Sequence, residues 1–473
     1  MFLARFDPSG ACLWSRSFGD RDTDDIGQCV ALDQTGTVIL AGRSPGTVDL
    51  GGGPLTSAGD FDIYLAKFDA NGTHIWSKRF GDASSQYPYS VATDGQGNVV
   101  MTGMFEGNVD FGVGLLSSEG ETDAFLVKFN STGACLWSQS FGDSLHQNGY
   151  SVAISDEGDI YLAGHFNGTV NLGGGPLITS GGALFVAKFD GYGVHQWSKA
   201  FGNNSSGELA ADGMGGIILS GSYGGTIDFG GEVLSSAGGL DVFVAKFDAD
   251  GNHIWSRGFG NLNDQYGGPV SADSEGNAVI SGLFAGAIDF GSGALPSAGD
   301  YDIFVAGFNA TGSTRWSVSF GDQESQAARS VAFTDAGNFV LTGDFYGTVD
   351  FGGGPLTSAG YADGFLAMFA GFAPTGAGGG SIPRPILSAQ PNPFSSASLI
   401  RFTLSKGENV RLSVYDAKGK LVRVLVSGTR GPGAYEVTWD GLARHGTRLG
   451  SGVYFCRLTA GSLVESQKLV LLR

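Results

Sequence analysis

Basic residues are scarce in most of this chain. Before Ile382 there are 14 Lys and Arg against 41 Asp and Glu; from Ile382 onward there are 13 against 5. The long acidic part is a poor partner for nucleic acid or anionic lipid. Cysteine is also rare, and Cys12, Cys29, Cys135 and Cys456 show no framework spacing, which excludes a disulfide-stapled scaffold. No apolar run is long enough for a membrane-spanning helix. Met1 opens without a basic segment and apolar core, so no signal peptide is expected within this sequence. The first 370 residues lack sustained helical periodicity. The six His form no HExxH pair and there is no Gly-x-Ser-x-Gly elbow. Those absences argue against the commoner hydrolase chemistries.

What is abundant is glycine, 81 of 473 residues, and repetition. A Trp-Ser pair recurs at Trp14, Trp76, Trp137, Trp197, Trp255 and Trp316, at steps of 62, 61, 60, 58 and 61 residues. A fixed period of this length means one supersecondary unit repeated, each burying its apolar face on its neighbours. In the second copy, Tyr89–Thr93, Asn98–Thr102, Phe125–Phe129 and Cys135–Phe141 read as strands, rich in aromatic and β-branched residues. The first pair and the last pair are each joined by a D/N-x-x-G turn, which is hairpin chemistry. Four-stranded units repeated in this way predict the blades of a β-propeller, six units of about 60 residues over 1–369.

The two short turns of each unit share one face and its two long connections share the other. The long connections are the Gly-rich run typified by residues 46–59 and the loop leading into each SVA-type strand. Any binding surface is expected on the long-loop face. Five positions before the Val of each SVA strand lies a polar series, Asp25, Gln86, Gln147, Asn204, Gln265 and Gln326, with Leu209 replacing Val in the fourth copy. As a ring at a channel mouth these are candidate ligand contacts; the alternative is that they satisfy loop backbone groups. Asp49, Asp110, Asp228, Asp289 and Asp350 recur with Asn171, and Asp62, Asp123, Asp241, Asp302 and Asp363 with Ala183. Recurrence at every unit argues for turns and loop stapling. No cofactor is expected; the alternative is calcium, for which Asp248-Ala-Asp250-Gly is the nearest fragment to a binding loop, without the distal Glu. The repeated Trp reads as a wedge between blades, or, if exposed, as a sugar-stacking platform.

The pattern SVAxDxxGNVxxTGxF followed by D-x-F-x-A-K-F-D-x-x-G-x-x-x-W resembles the SBBP-type propeller repeats of bacterial secreted and surface proteins. The resemblance covers residues 1–370 and implies a propeller fold without a common reaction. This chain holds six SVA-type strands where the family name implies seven blades. Six blades closed by the Trp14 strand beside Phe365–Phe369 are expected; the alternative is a truncated seven-bladed ring, to which the surplus Phe2–Phe6 strand points.

Residues 370–385 read as a Gly/Pro-rich linker. Residues 386–473 then show strands at Leu399–Leu404, Val410–Asp416, Leu421–Val426, Tyr435–Trp439, Gly452–Leu458 and Gln467–Leu472, an immunoglobulin-like sandwich. This part resembles the C-terminal sorting domain of type IX secretion cargo and the related FlgD-like Ig module. The matching motif residues are Pro391, Asn392, Pro393 and Phe394, with Gly452, Tyr454 and Lys468. The resemblance implies secretion machinery as a partner and an extracellular or outer-membrane surface location in a Gram-negative-type bacterium. A non-catalytic binding or adhesion propeller with a protein or polysaccharide ligand is the expected function. The alternative is an extracellular glycan-active enzyme with its site at the channel mouth.

Overall fold

The computed structural model describes every residue except 9, 21–22, 335–337, 370–386, 405–406, 432, 445 and 461–462. The linker expected at 370–385 lies outside the described residues. The fold is all-β: a β-propeller built of repeated four-stranded blades, and a C-terminal immunoglobulin-like sandwich. Two compact units are present, one of Met1–Val349 with Thr357–Gly379, the other of Asp350–Leu356 with Gly380–Arg473.

Every blade runs antiparallel from an inner to an outer strand. The second is Gln86–Thr93, Val99–Phe105, Asp123–Phe129 and Cys135–Phe141. The first, third, fourth and fifth blades begin at Ile26, Gln147, Ser205 and Gln265 and end at Phe80, Phe201, Phe259 and Phe320. The sixth has three paired strands, Gln326–Phe333, Phe339–Phe345 and Asp363–Phe369. Local chemistry sets the short turns. Asp94 Oδ1 accepts the amides of Gln96 and Asn98, and Gly97 takes φ +74°, a conformation that favours glycine.

Blades hold together through aromatic seams. Phe80, ending the first outer strand, meets Phe111 and Phe129 of the second blade at 5.1 and 5.4 Å. Phe201 meets Phe229 and Phe247, and Phe259 meets Phe290 and Phe308, in the same way. Burying such rings contributes roughly 1.5–3 kcal/mol per side chain, so each seam is a substantial core.

The closure expected for the Trp14 strand is corrected. Cys12–Ser17 pairs with Phe2–Phe6 and not with the sixth blade. Among the described strands, Asp363–Phe369 pairs with Phe339–Phe345 alone. Phe18 stacks on Phe68 at 5.6 Å, as Phe80 does on Phe129. The amino-terminal hairpin therefore sits against the first blade as the outer strand pair of each blade sits against the next. The FLARF strand matches the third strand of a blade, so it takes Trp14's strand as its own neighbour.

The Gly-rich run is not a plain loop. Thr47–Asp49 pairs with Pro54–Thr56 as a small ribbon, and Asp49 Oδ1 closes it by accepting the amides of Gly51 and Gly53. Asp110, Asn171, Asp289 and Asp350 act alike, which matches the stapling role expected for this series. In the fourth blade the ribbon merges into strands Ile217–Ile227 and Leu234–Phe247.

The sandwich packs the sheet Leu387–Gln390, Ser398–Leu404, Gly433–Trp439 against Leu421–Arg430, Glu408–Asp416, Gly452–Ala460, Leu463–Leu471. Trp439 is fully buried at its centre among Phe394, Ile400, Leu412, Val414 and Leu458.

Candidate functional site

The polar series is largely engaged within the fold, with Asn204 exposed and Asp25 half-buried. Gln86, Gln147 and Gln265 are fully buried. The Gln86 side-chain carbonyl accepts the Asp82 amide, and its amide group donates to Asp82 Oδ1 and to the Glu106 carbonyl. Gln147 and Gln326 repeat this arrangement, and Asp25 accepts from the Asp20 amide. These side chains staple the long loops to the inner strands, and the polar atoms of the glutamines are already engaged there. In the fourth blade the register equivalent is Ser205, paired with Tyr223 as Gln86 is with Phe105, and not Asn204. The count of five fails there for a structural reason. The other inner strands carry a bulge, with Gln28, Tyr89, Tyr150, Gly268-Pro269 and Arg329 as extra residues, and the fourth has none.

The second Asp series is also internal. Asp62, Asp123, Asp241 and Asp302 are buried, each accepting one loop amide. The facing glycine must lack a side chain: a Cβ on Gly142 would lie 2.3 Å from Asp123 Oδ1. Burial raises all four carboxyls, Asp123 to about 6. The calcium-like fragment is a turn, with Asp248 Oδ1 taking the amides of Asp250 and Asn252. Among the described residues no group of three or more His, Cys, Asp or Glu is placed to hold a metal.

The Trp residues are wedges at the blade rims. Trp76, Trp137, Trp197 and Trp255 each donate the indole N–H to a turn carbonyl of the following blade, at 3.0–3.3 Å. Trp255 and Trp316 are buried, and Trp137 is half-buried, less enclosed than a core reading requires.

A cleft lies at one seam that has a small residue at a position filled by a ring elsewhere. At the seam between the first two blades, Arg43, Phe61 and Tyr87 fill the space, the guanidinium 3.9 Å from the Tyr87 ring centroid. At the seam between the fifth and sixth blades the corresponding residues are Leu283, Tyr301 and Ala327. Ala327 cannot fill the room that Tyr87 fills. The result is a cleft of about 400 Å³ bordered also by Tyr266, Arg329, Asp344 and Tyr346. A second hollow of about 470 Å³ continues across Tyr301 and Ser325, bordered by Asn263, Asp264 and Asp300. Both open among the long connections.

The cleft combines flat aromatic walls with polar groups. Tyr266 and Tyr301 have ring centroids 5.9 Å apart, and Tyr266 and Tyr346 are 37 % and 40 % exposed. Burial and the neighbouring Asp264 carboxylate push the Tyr266 hydroxyl above its ordinary value. Arg329 Nε bonds Asp344 Oδ1 at 2.5 Å. The bulge at Arg329 turns its side chain out of the strand ladder toward this partner. Gln326 also borders this cleft, and it alone of the border residues was singled out from sequence. The available signal was the step from Gln86-Tyr-Pro-Tyr to Gln326-Ala-Ala-Arg in otherwise equivalent strands.

In the sandwich, the motif residues have intramolecular roles. Asn392 Nδ2 donates to the Lys468 carbonyl and Asn392 Oδ1 accepts the Val470 amide. Phe394 is buried 5.4 Å from Trp439, and Tyr454 lies 5.3 Å from it on another side. Gly452 and Lys468 are exposed.

Comparison with known proteins places residues 394–463 on the model of the FlgD Ig-like domain. The regulatory protein FlaEY of Caulobacter vibrioides is 25 % identical over 381 residues, 74 % of this chain and 39 % of the relative. An uncharacterized WD repeat-containing protein of Acanthamoeba polyphaga mimivirus is 24 % identical over 202 residues, 35 % of this chain and 14 % of the relative. This chain therefore matches well under half the length of either. Among solved structures, a gluconolactonase from Xanthomonas campestris aligns over 68 % of this chain and 84 % of its own at 13 % identity and a TM-score of 0.31.

Proposed function

We propose that the protein is a secreted or cell-surface, non-catalytic binding module whose propeller takes a partner on its long-loop face. The observation that carries this is the cleft opened by Ala327, with three tyrosines and a paired Arg329–Asp344 at its border. Exposed tyrosines supply contact area with few rotamers to fix, which suits a rigid binding surface. The repeated amides and carboxylates hold the scaffold, so recognition falls to the residues that break the repeat.

The sandwich is the export module in this reading, supported by the FlgD Ig-like match and by the sorting-domain resemblance of Pro391–Phe394 and Gly452–Tyr454. Given a signal peptide in a type IX-competent host, the full chain should reach the surface and a chain lacking 386–473 should be retained. Equal export of both would reduce the sandwich to a structural module. Binding is tested by capture on purified full-length protein; loss of capture in Ala327→Tyr, with unchanged unfolding, supports the site.

A second reading is an extracellular glycan-active enzyme. The asymmetry of the same cluster favours it, since catalytic groups break repeat symmetry. Against it, the carboxyls raised toward neutrality lie outside the cleft: Asp62, Asp123, Asp241 and Asp302 are buried staples, and Glu208, pushed up to about 7 by burial, stands on the fourth inner strand, whereas glycoside hydrolysis wants such an acid at the bond. Turnover of any glycan that disappears in Asp344→Asn or Asp300→Asn would select the enzyme.

A further inference from the structure

We infer that the ligand of this cleft is an uncharged polysaccharide, bound across Tyr301 with successive sugar rings in the two hollows. The inference rests on the binding reading above and narrows it to a ligand class. A pyranose presents two demands at once: an apolar face that packs on an aromatic ring, and a rim of hydroxyls that need donors and acceptors. The cleft meets both. Tyr266, Tyr301 and Tyr346 give ring faces, and Asn263, Asp264, Asp300 and Ser325 give polar groups along the same border. Two adjoining hollows sharing Tyr301 and Ser325 form a track instead of a single closed pocket, which suits a chain that enters and leaves.

Charge decides between polymers. Asp264, Asp300 and Asp344 border the two hollows, with Arg329 as the single bordering cation among the described residues. The part of the chain before Ile382 carries 41 acidic against 14 basic residues. A uronate or sulfated polymer would be repelled. Two of these carboxylates are already engaged. Asp264 Oδ1 already accepts the Leu240 amide at 2.9 Å, and Asp344 is paired with Arg329. Their remaining lone pairs suit neutral hydroxyl donors, and a charge-assisted bond from a hydroxyl is stronger than a neutral one. A peptide partner would need a closed apolar anchor pocket, as interface hot spots do; the aliphatic residues larger than alanine here are Leu283 in the first hollow and Leu262, 84 % exposed, in the second.

The test uses the full-length protein in affinity gel electrophoresis and in titration. The polymer panel is a neutral glucan, a neutral mannan, a neutral xylan and polygalacturonate. The protein variants are Tyr301→Ala, Ala327→Tyr and Tyr192→Ala. Tyr192 is 85 % exposed in a short turn on the opposite face and serves as the control tyrosine. The expected result is retardation by at least one neutral polymer, weakened tenfold or more by Tyr301→Ala and by Ala327→Tyr and unchanged by Tyr192→Ala. Polygalacturonate should not retard it. Circular dichroism and unfolding midpoints establish that the variants fold.

Stronger binding of polygalacturonate, still lost in the cleft variants, would overturn the uncharged class and leave the cleft as the binding site. Neutral-polymer binding indifferent to both cleft variants would overturn the placement. If no polymer binds but a protein partner is captured and lost in Ala327→Tyr, the polysaccharide inference fails and the binding reading survives. If neither occurs, both fail.

Discussion

Trp197 of the third blade lies over Gly251 of the fourth: a Cβ on Gly251 would stand 2.8 Å from the indole Cε2. The indole N–H reaches the Ala249 carbonyl in the same turn at 3.0 Å, so ring and donor both grip the neighbouring blade. The pair repeats as Trp76 with Gly133, Trp137 with Gly193 and Trp255 with Gly312. It explains why the turns before Trp76, Trp137, Trp197, Trp255 and Trp316 end in glycine: the residue needs a φ of +76° to +82° and no side chain.

The first prediction follows from this contact. Gly251→Ala meets both a positive φ and a ring at contact distance, and should destabilise the propeller by about 1–3 kcal/mol. Trp137→Ala should cost roughly 2–3 kcal/mol, less than the ~3–5 of a fully enclosed indole, because the ring is half-buried. Denaturant midpoints at constant slope check both. A change under about 0.5 kcal/mol in either, the range of ordinary surface substitutions, would mean that the wedge is incidental.

Lys246 and Asp212 form a second blade fastener. Their side chains are 1 % and 2 % exposed, their charged atoms lie 3.0 Å apart, and Lys246 Nζ also reaches the Gly276 carbonyl of the fifth blade. Lys246→Ala strands a buried carboxylate and should cost about 3–5 kcal/mol. Replacing both, as Lys246→Met with Asp212→Asn, should recover much of that. If the single and double variants are equally unstable, the damage comes from lost packing and not from an unpaired charge. The fifth blade supplies a natural precedent: Gly307 stands where the Lys would be, and Trp316 occupies the space.

Much of this was legible along the chain because it is local. The D-x-x-G turns, the strands between them and the sandwich strands depend on neighbours within a few residues, and they lie where the sequence puts them. What escaped depends on residues about a repeat apart. Lys67, Lys128 and Lys188 each pair with an aspartate of their own blade's inner turn and donate to a turn carbonyl of the next blade. The inner strand begins at Gln86, three residues before Tyr89, because the amide's own bonds extend the ladder. The bulge missing from the fourth inner strand displaced the site count there from Ser205 to Asn204. The cleft was invisible because Ala327 matters only against Leu283 and Tyr301 of the preceding blade.

The raised aspartates make a pH prediction. Asp123 is raised to about 6, and Asp62, Asp241 and Asp302 are raised, all chiefly by burial. Carboxyls raised on folding favour the native state fully below their ordinary value, about 4, and that advantage is lost as pH climbs through the folded value. A second group is depressed: burial opposes it, but amides of Ser84 and Asn108 hold Asp82 below its ordinary value, as do those of Leu145 and Thr169 for Asp143. These contribute above about 4 and fade on further acidification. Thermal midpoints should therefore rise from pH 8 to pH 5 and fall below about pH 4. Asp123→Asn should shrink the rise between pH 7 and pH 5. An unchanged rise would assign it to other groups.

The last prediction concerns how Asn392 closes the sandwich. Its side chain bridges two points on the final strand, giving its amide to the Lys468 carbonyl at 2.6 Å and taking the Val470 amide at 2.8 Å. Phe394 extends the same contact, with its amide on the Val470 carbonyl and its own carbonyl accepting from Leu472. The Pro391–Phe394 motif thus acts first as a clasp on the terminal strand. Asn392→Ala removes both side-chain bonds while leaving the backbone pair, a loss of about 1–1.5 kcal/mol, or roughly a tenfold change in the local opening equilibrium. Hydrogen exchange on the full chain should show the Val470 amide accelerating about tenfold, with the Val99–Phe105 strand of the second blade unchanged. Phe394→Ala, which also empties a buried ring site against Trp439, should accelerate Val470 further and spread to the Cys456 and Leu458 amides. If Asn392→Ala leaves Val470 as protected as before, the clasp does not hold the strand in solution.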